Sequence, residues 1–305
     1  MWSPSSRCGG SAGRKMIETK GVSKFFSVIK EDGTAEGFTA LNSISLHIEE
    51  GKFVSLLGPS GCGKSTFLEI LAGLQAPSDG EVWIDNKLVL EPLPSTRKEA
   101  EIYRKKYRLL SPIANSLFHD NPKHDIAMIF QDYAVFPWMT ARQNVLFALK
   151  IRKVPKRERD AAATYYLRKV GLLDSDHKYP SQLSGGMRQR LALARALSVE
   201  PRIILMDEPF AAVDALTRER LQEDLLRLWE ETSKTIVLVT HDVDEAAYLS
   251  DEVVVFSPLP GSIRNTIKID LPRPRRRNSP ELRWIKERLM AIHEFDTVHE
   301  ADYVI

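Results

Sequence analysis

Four short apolar runs punctuate the chain: Phe53 to Leu57, Ile126 to Phe130, Ile203 to Met206 and Thr235 to Thr240. Short runs rich in Ile, Val and Leu and bounded by polar sequence predict strands buried on both faces, the kind that fill a parallel sheet. Between them lie segments with helical spacing: Phe67 to Leu71 just after the first run, amphipathic patterns over Thr140 to Lys150 and Lys156 to Val170, and a Leu/Ala/Arg-rich stretch from Arg188 to Val199. Strands alternating with helices place the chain in the α/β class. Residues Ile17 to Glu50 differ, because Ala40 to Ile48 alternates apolar and polar positions as a half-exposed sheet does. Gly80 to Asp85 predicts a further strand, with a turn at Asn86-Lys87.

Three stretches break this pattern. Residues 1–15 are rich in Ser, Gly and Arg and almost free of apolar side chains, so they read as a disordered extension ahead of Met16. They lack the apolar centre of a signal peptide, and residues added upstream of Met16 account for them better than an organelle transit peptide does. Residues 91–123 mix prolines, charges and a Ser/Asn/His-rich run, which predicts an insertion carrying one short helix. Within it Tyr103 to Arg108 interleaves aromatic and basic side chains; these suit phosphates or anionic lipid, but a solvated helix face is the simpler reading. Near the end, Arg273-Pro274-Arg275-Arg276-Arg277 predicts a stiff, solvated basic linker. Ser279-Pro280-Glu281 then supplies a capping Ser and a Pro at the first helical position. Leu282, Ile285, Leu289 and Ile292 share one face of a helix packed on the body.

With 305 residues, 43% of them hydrophobic, the chain can bury a sizeable core. Its net charge of +2 gives no global reason to expect nucleic acid as a partner. The only cysteines, Cys8 and Cys62, suggest no disulfide framework and favour a reducing, cytosolic setting. No apolar run approaches the ~18 residues that a membrane-spanning helix requires, so at a membrane another chain must supply the crossing.

The candidate chemistry gathers at the ends of the apolar runs. After Leu57 comes Gly58-Pro59-Ser60-Gly61-Cys62-Gly63-Lys64-Ser65-Thr66, a glycine-rich turn ending in Lys-Ser at a helix start. Glycines let successive backbone N–H groups point inward and the helix adds its positive dipole end, which together make a cradle for a triphosphate. Lys64 would lie against the β- and γ-phosphates and Ser65 would offer its hydroxyl to Mg²⁺. Met206 leads into Asp207 and Glu208, two carboxylates at a strand end: Asp207 to hold Mg²⁺ through its water shell, Glu208 to polarise an attacking water. Thr240 leads into His241, whose imidazole can donate a hydrogen bond to the γ-phosphate. Ser184-Gly185-Gly186 makes a second anion-seeking helix start, although alone it is an ordinary turn. Phe25 or Phe26, with Phe26 preferred, is a candidate to stack on a nucleobase, against the default of a core aromatic. The apolar loop Ala134 to Met139 wants a partner surface.

In this order, the motifs resemble those of the ATP-binding subunit of an ABC transporter, over nearly all of Ile17 to Pro260. Gly58 to Thr66 is similar to the family's Walker A loop, Gln131 to its Q-loop glutamine and Leu183-Ser184-Gly185-Gly186 to its signature. Ile203 to Glu208 resembles Walker B, Asp214 the D-loop acid and His241 the switch histidine. Phe130 to Trp138 and Leu271 to Arg275 most resemble the nitrate, sulfonate and taurine importer subunits. The resemblance implies a P-loop NTPase fold of the ABC ATPase type, with an N-terminal antiparallel β subdomain and a helical subdomain at about residues 132–190. It implies an ATPase domain over 16–260, then a basic linker and C-terminal helix over 261–305, too short for the β-barrel regulatory domain of related importer subunits.

The resemblance also implies ATP and Mg²⁺ as ligands, with Gln131 joining Ser65 and Asp207 at the metal and joining Glu208 and His241 in catalysis. The nucleotide would lie between the 58–66 loop of one subunit and Ser184, Gly185, Gly186 and Asp214 of a second, which is another copy or a close relative. Integral membrane permease subunits would dock beside Gln131 on Val135 to Met139, at the cytoplasmic face of the membrane, with a solute-binding protein reached only through the permease. The cargo stays open among nitrate, a sulfonate, taurine, cyanate, bicarbonate and a thiamine precursor. Soluble ABC-type ATPases that act on nucleic acid or ribosomes are the alternative; they usually carry paired cassettes or a long coiled coil, and neither is visible.

Overall fold

The structure, a computed structural model, describes residues 14–29, 35–92, 126–211 and 213–294. The first two strands, β1 (Lys15–Ile29) and β2 (Ala35–Glu49), form a long antiparallel hairpin. Strand β4 (Asp79–Ile84) pairs antiparallel with β1, and β5 (Lys87–Leu90) with β4, giving the order β2-β1-β4-β5. Lys15 already belongs to β1, so the extension ends earlier than residue 15. The turn after β4 also falls one residue early, because Asp85 and Asn86 take the left-handed conformation (φ 51° and 60°) that a two-residue hairpin requires.

The second sheet has six strands in the order β10-β9-β3-β8-β7-β6: β3 (Phe53–Leu57), β6 (Ile126–Ile129), β7 (Ile203–Asp207), β8 (Thr235–Thr240), β9 (Glu252–Phe256) and β10 (Ile263–Lys268). Strands β9, β3, β8, β7 and β6 run parallel, and β10 returns antiparallel on β9. All of β3 and β8 is buried. Phe53 and Leu57 pack to one side of the sheet and Val54 and Leu56 to the other, so the apolar runs are apolar because both faces are covered. One face meets helix α1 (Lys64–Leu71) and the antiparallel sheet; the other meets the remaining helices.

Those helices are α2 (Ala141–Ile151), α3 (Lys156–Lys169), α4 (Gly185–Ser198), α5 (Ala215–Thr232), α6 (Val243–Leu249) and α7 (Pro280–Glu294). Thr140 and Gln143 close a capping box on α2, and the Ser279 hydroxyl accepts from Leu282 N at the start of α7. Leu282, Ile285 and Leu289 are buried and Ile292 packs against the same core. Helix α4 starts at Gly185 rather than Arg188, so both glycines lie inside its first turn. The basic stretch before α7 is not a solvated linker: Arg275 is only 6% exposed and Arg273 and Arg277 lie across aromatic rings. Among the described residues no helix is long and apolar enough to cross a membrane. The expected short helix within 91–123, the Tyr103 to Arg108 run and nearly all of the N-terminal extension lie outside the described residues.

Candidate active site

The parallel register sets Leu57 beside Thr240, Asp207 beside Val239 and Ile129 beside Met206. The carboxyl ends of β3, β6, β7 and β8 therefore share one edge, where open α/β sheets bind ligands. The Gly58–Thr66 loop leaves from β3. Gly63 takes φ 96°, and a Cβ there would stand 2.7 Å from the Ala40 carbonyl oxygen, so only glycine fits. Neither a side-chain cap nor an acidic residue occupies the first turn of α1, which leaves its N–H groups to the loop's interior. Buried Lys64 donates to the carbonyls of Gly58 (2.8 Å) and Pro59 (2.7 Å) and lies 3.6 Å from Cys62 Sγ. Burial pushes the Cys62 thiol above its usual range, so it stays protonated and acts as packing.

Ser65 Oγ donates to Asp207 Oδ1 at 2.9 Å across the loop–β7 gap. Burial raises the Asp207 carboxyl pKa, with the Ser65 hydrogen bond opposing and the neighbouring Glu208 charge adding to the rise. A hydroxyl and a partly buried carboxylate at this spacing are hard oxygen donors lacking a cation's charge, and they fit Mg²⁺. Glu208 sits at φ 41°, a conformation that costs a non-glycine residue of order 1–3 kcal/mol. Its N–H donates to Val239 O, and the twist brings Oε1 to 3.1 Å from His241 Nδ1. Gln131 follows β6 at the same edge, exposed and without a side-chain hydrogen bond to another described residue.

The remaining candidates stand apart from this cluster. Ser184 caps α4, accepting from Met187 N at 3.3 Å, and exposed Asp214 caps α5, accepting from Thr217 N at 3.0 Å, a bond that lowers its carboxyl pKa. Gly186 joins the two helices: a Cβ on it would stand 2.8 Å from Thr217 Cγ2. None of Ser184, Gly185, Gly186 and Asp214 hydrogen-bonds the 58–66 loop of its own chain. Phe26 is half-buried in β1, its ring stacked on Phe38 at 5.5 Å with Lys24 Nζ above it, while Phe25 is exposed.

Two supporting groups escaped sequence reasoning. Gly261 presses on the phosphate loop: its N–H donates to Ala40 O, and a Cβ would overlap Cys62 O at 2.1 Å. Behind His241, the buried Glu245 carboxylate accepts from Thr240 Oγ1 (2.7 Å) and Gln222 Nε2 (3.3 Å), with Arg218 Nε at 3.8 Å. Burial lifts Glu245 from 4.5 to about 7 despite these donors. The spacing Asp242-x-x-Glu245, a helix-cap signature, was the available signal.

Comparison with known proteins agrees with this geometry. The ABC transporter family model matches residues 41–211. An uncharacterized ABC transporter ATP-binding protein of Methanocaldococcus jannaschii is 43% identical over 253 residues, covering 83% of this chain and 84% of that one. A nitrate import ATP-binding protein of Synechocystis is 40% identical over 240 residues, with 79% of each chain covered. A bicarbonate transport ATP-binding protein of Synechococcus elongatus is 42% identical over 243 residues, 79% of this chain but 32% of its own length. Among solved structures, an ATP-binding cassette seen as a post-hydrolysis dimer with ADP and Pi superposes with a TM-score of 0.65 at 33% identity, covering 84% of this chain and all of its own. The chain belongs to the ABC transporter family and is one of its ATP-binding, ATP-hydrolysing cassettes.

Proposed function

We propose that this chain powers a membrane importer for a small anion or sulfonate-type solute of the nitrate, sulfonate or taurine class, working as one half of an ATP-closed dimer on permease subunits. The convergence of Lys64, the Ser65–Asp207 pair and the Glu208–His241 pair on one sheet edge carries this reading. The names of the nitrate and bicarbonate relatives support the cargo class.

In this mechanism the 58–66 backbone binds the phosphates and Lys64, which forms no ion pair within 4 Å among the described residues, exchanges its loop carbonyls for the negatively charged β- and γ-phosphate oxygens. Ser65, Asp207 and Gln131 would hold Mg²⁺, which neutralises developing phosphate charge when bound. Glu208, turned out of its strand by a left-handed backbone, accepts a proton from the attacking water, and His241 orients Glu208 and donates to the γ-phosphate. Ser184, the Gly185 and Gly186 amides and Asp214 lie at two helix starts whose capping residues, Ser184 and Asp214, are exposed, and serve the partner's nucleotide. Phe26, with Phe38, offers the base a stacking platform. Substituting Glu208→Gln should lower kcat by at least ~10²-fold while ATP-dependent dimerisation, followed by size-exclusion chromatography, persists; unchanged turnover would remove Glu208 from the role.

Permease docking falls on the loop after β6. Buried Asn144 holds that loop in place, accepting from Phe136 N and donating to the carbonyls of Phe136, Met139 and Thr140. The loop thus presents Trp138, 69% exposed, at a groove of about 530 Å³ with Met139, Leu146 and Phe147. A short amphipathic helix of the permease fits such a groove. Trp138→Glu should leave ATP hydrolysis of the isolated cassette within ~2-fold and cut reconstituted transport by ~10-fold or more; wild-type transport would reject this surface.

A further inference from the structure

The arginines before α7 grip one short helix, and that helix begins two residues after His241. Helix α6 has only seven residues and cannot hold itself in place, since isolated helices of this length are marginal in water. At its start Asp242 Oδ1 accepts from Asp244 N (2.7 Å) and Glu245 N (3.2 Å), and Asp242 N donates to Thr240 Oγ1. At its end no glycine cap is present; Ser250 follows in an extended conformation.

Arg275 takes the place of a cap. Its Nη1 donates to Ala247 O (2.9 Å), Tyr248 O (3.0 Å) and Ser250 O (2.7 Å), while Nη2 reaches Ile269 O (3.3 Å) and Leu271 O (3.4 Å). The missing carbonyl, Leu249 O, accepts from Arg273 Nη2 at 2.6 Å, and Arg273 also pairs with Asp251. Arg277 stacks on Tyr248 (3.7 Å) and donates to Gln222 Oε1 (2.9 Å), whose amide reaches Glu245. Lys286 of α7 pairs with Asp244. A buried guanidinium set against helix-terminal carbonyls is stabilised by the negative end of the helix dipole. Burial lowers the Arg275 pKa to about 10, which still leaves it charged at neutral pH.

His241 has no such support of its own. Its side chain is 54% exposed, and among the described residues its side-chain partner is Glu208, 3.1 Å away. Its place therefore depends on where β8 and α6 put it. We propose that Arg275, flanked by Arg273 and Arg277, is a positioning residue for hydrolysis: by clamping the C-terminal end of α6 it keeps the His241 ring against Glu208. This rests on the role given to His241 above.

The test uses the full chain and three variants, Arg275→Met, Arg275→Lys and Arg277→Met. The His241 ring resonance in a ¹³C-labelled-histidine NMR spectrum, assigned by its loss in His241→Ala, reports ring placement independently of turnover. Arg275→Met should lower kcat by about tenfold with the KM for ATP within about twofold, because the phosphate loop is untouched. It should also shift or broaden the His241 resonance while the other six of the seven histidines stay in place. Arg275→Lys, a point donor that cannot span three carbonyls, should recover part of both effects, and Arg277→Met should give a smaller change of the same sign. Should Arg275→Met fail to fold, the other two variants decide. Folded variants with lowered Tm but wild-type kcat and an unmoved His241 resonance would overturn the proposal. Normal hydrolysis by His241→Ala would instead overturn the catalytic reading of His241, and a shifted resonance in the arginine variants would then still establish the clamp.

Discussion

The Gly58–Thr66 loop and the His241 end lie side by side on one sheet edge, yet they are built in opposite ways. The loop is made largely by its own backbone, with Ala40 and Gly261 packed against it: its glycines set the curl, α1 supplies the N–H groups, and Lys64 bonds to carbonyls five and six residues back. The His241 end is held by side chains, by Glu245 of the neighbouring α6 and, from distant parts of the chain, by Gln222 and Arg218 of α5 and the arginines ahead of α7. A locally built site fails when its backbone is changed; a distributed one loosens by degrees as its supports are removed. The sharpest test of the first half is Gly63→Ala. The added Cβ meets Ala40 O at 2.7 Å with φ at 96°, so strain and overlap together should cost about 3 kcal/mol or more, visible as a lowered Tm and a lost ATP affinity. Near-normal ATP binding by that variant would mean that the loop's shape does not depend on the Gly63 backbone.

The distributed half should show itself through pH. Glu245, beside Asp242, Arg218 and His241, has its pKa raised by burial from 4.5 to about 7. Below about pH 4.5 folded and unfolded chains both keep this proton; between 4.5 and 7 the unfolded chain releases it while the folded chain holds it. Stability should therefore fall as pH rises through this window, by roughly 3 kcal/mol at most from this group, and level off above it. Glu245→Gln should flatten that segment of a Tm-against-pH profile relative to wild type. A profile of unchanged slope would show that the carboxylate is already ionised and satisfied by Thr240 and Gln222.

The same contrast explains how much of the molecule is legible in its sequence. The buried strands announce themselves because a parallel strand covered on both faces must be apolar throughout, and the loop announces itself because its chemistry is contiguous. Helix α4 is legible as a start at Ser184-Gly185-Gly186, but its regular part is expected only from Arg188, since a glycine pair has low helix propensity; capping by Ser184 and the close approach of Thr217 override it. The Arg273–Arg277 run looks solvated because a local reading pairs charges only with water, whereas three of the carbonyls that Arg275 binds lie 25 to 28 residues earlier. Strand β9 is as apolar as β3 but ends in no chemistry, so nothing in the sequence drew attention to it.

The smallest expected effect concerns a residue that belongs to neither half within one chain. Ser184 caps α4 through a hydrogen bond of 3.3 Å, long enough that its loss in Ser184→Ala should cost only about 0.5 kcal/mol of stability. If the exposed helix start also receives a partner's nucleotide, the same variant should lose far more than that in ATP-dependent dimerisation, on the order of tenfold in the dimer dissociation constant. Analytical ultracentrifugation of Ser184→Ala in a Glu208→Gln background, where hydrolysis does not empty the dimer, separates the two. A dimerisation loss no larger than the stability loss would confine Ser184 to capping its own helix. A larger one would mean that the locally built loop, complete in its backbone, is still only half of the site that hydrolyses ATP.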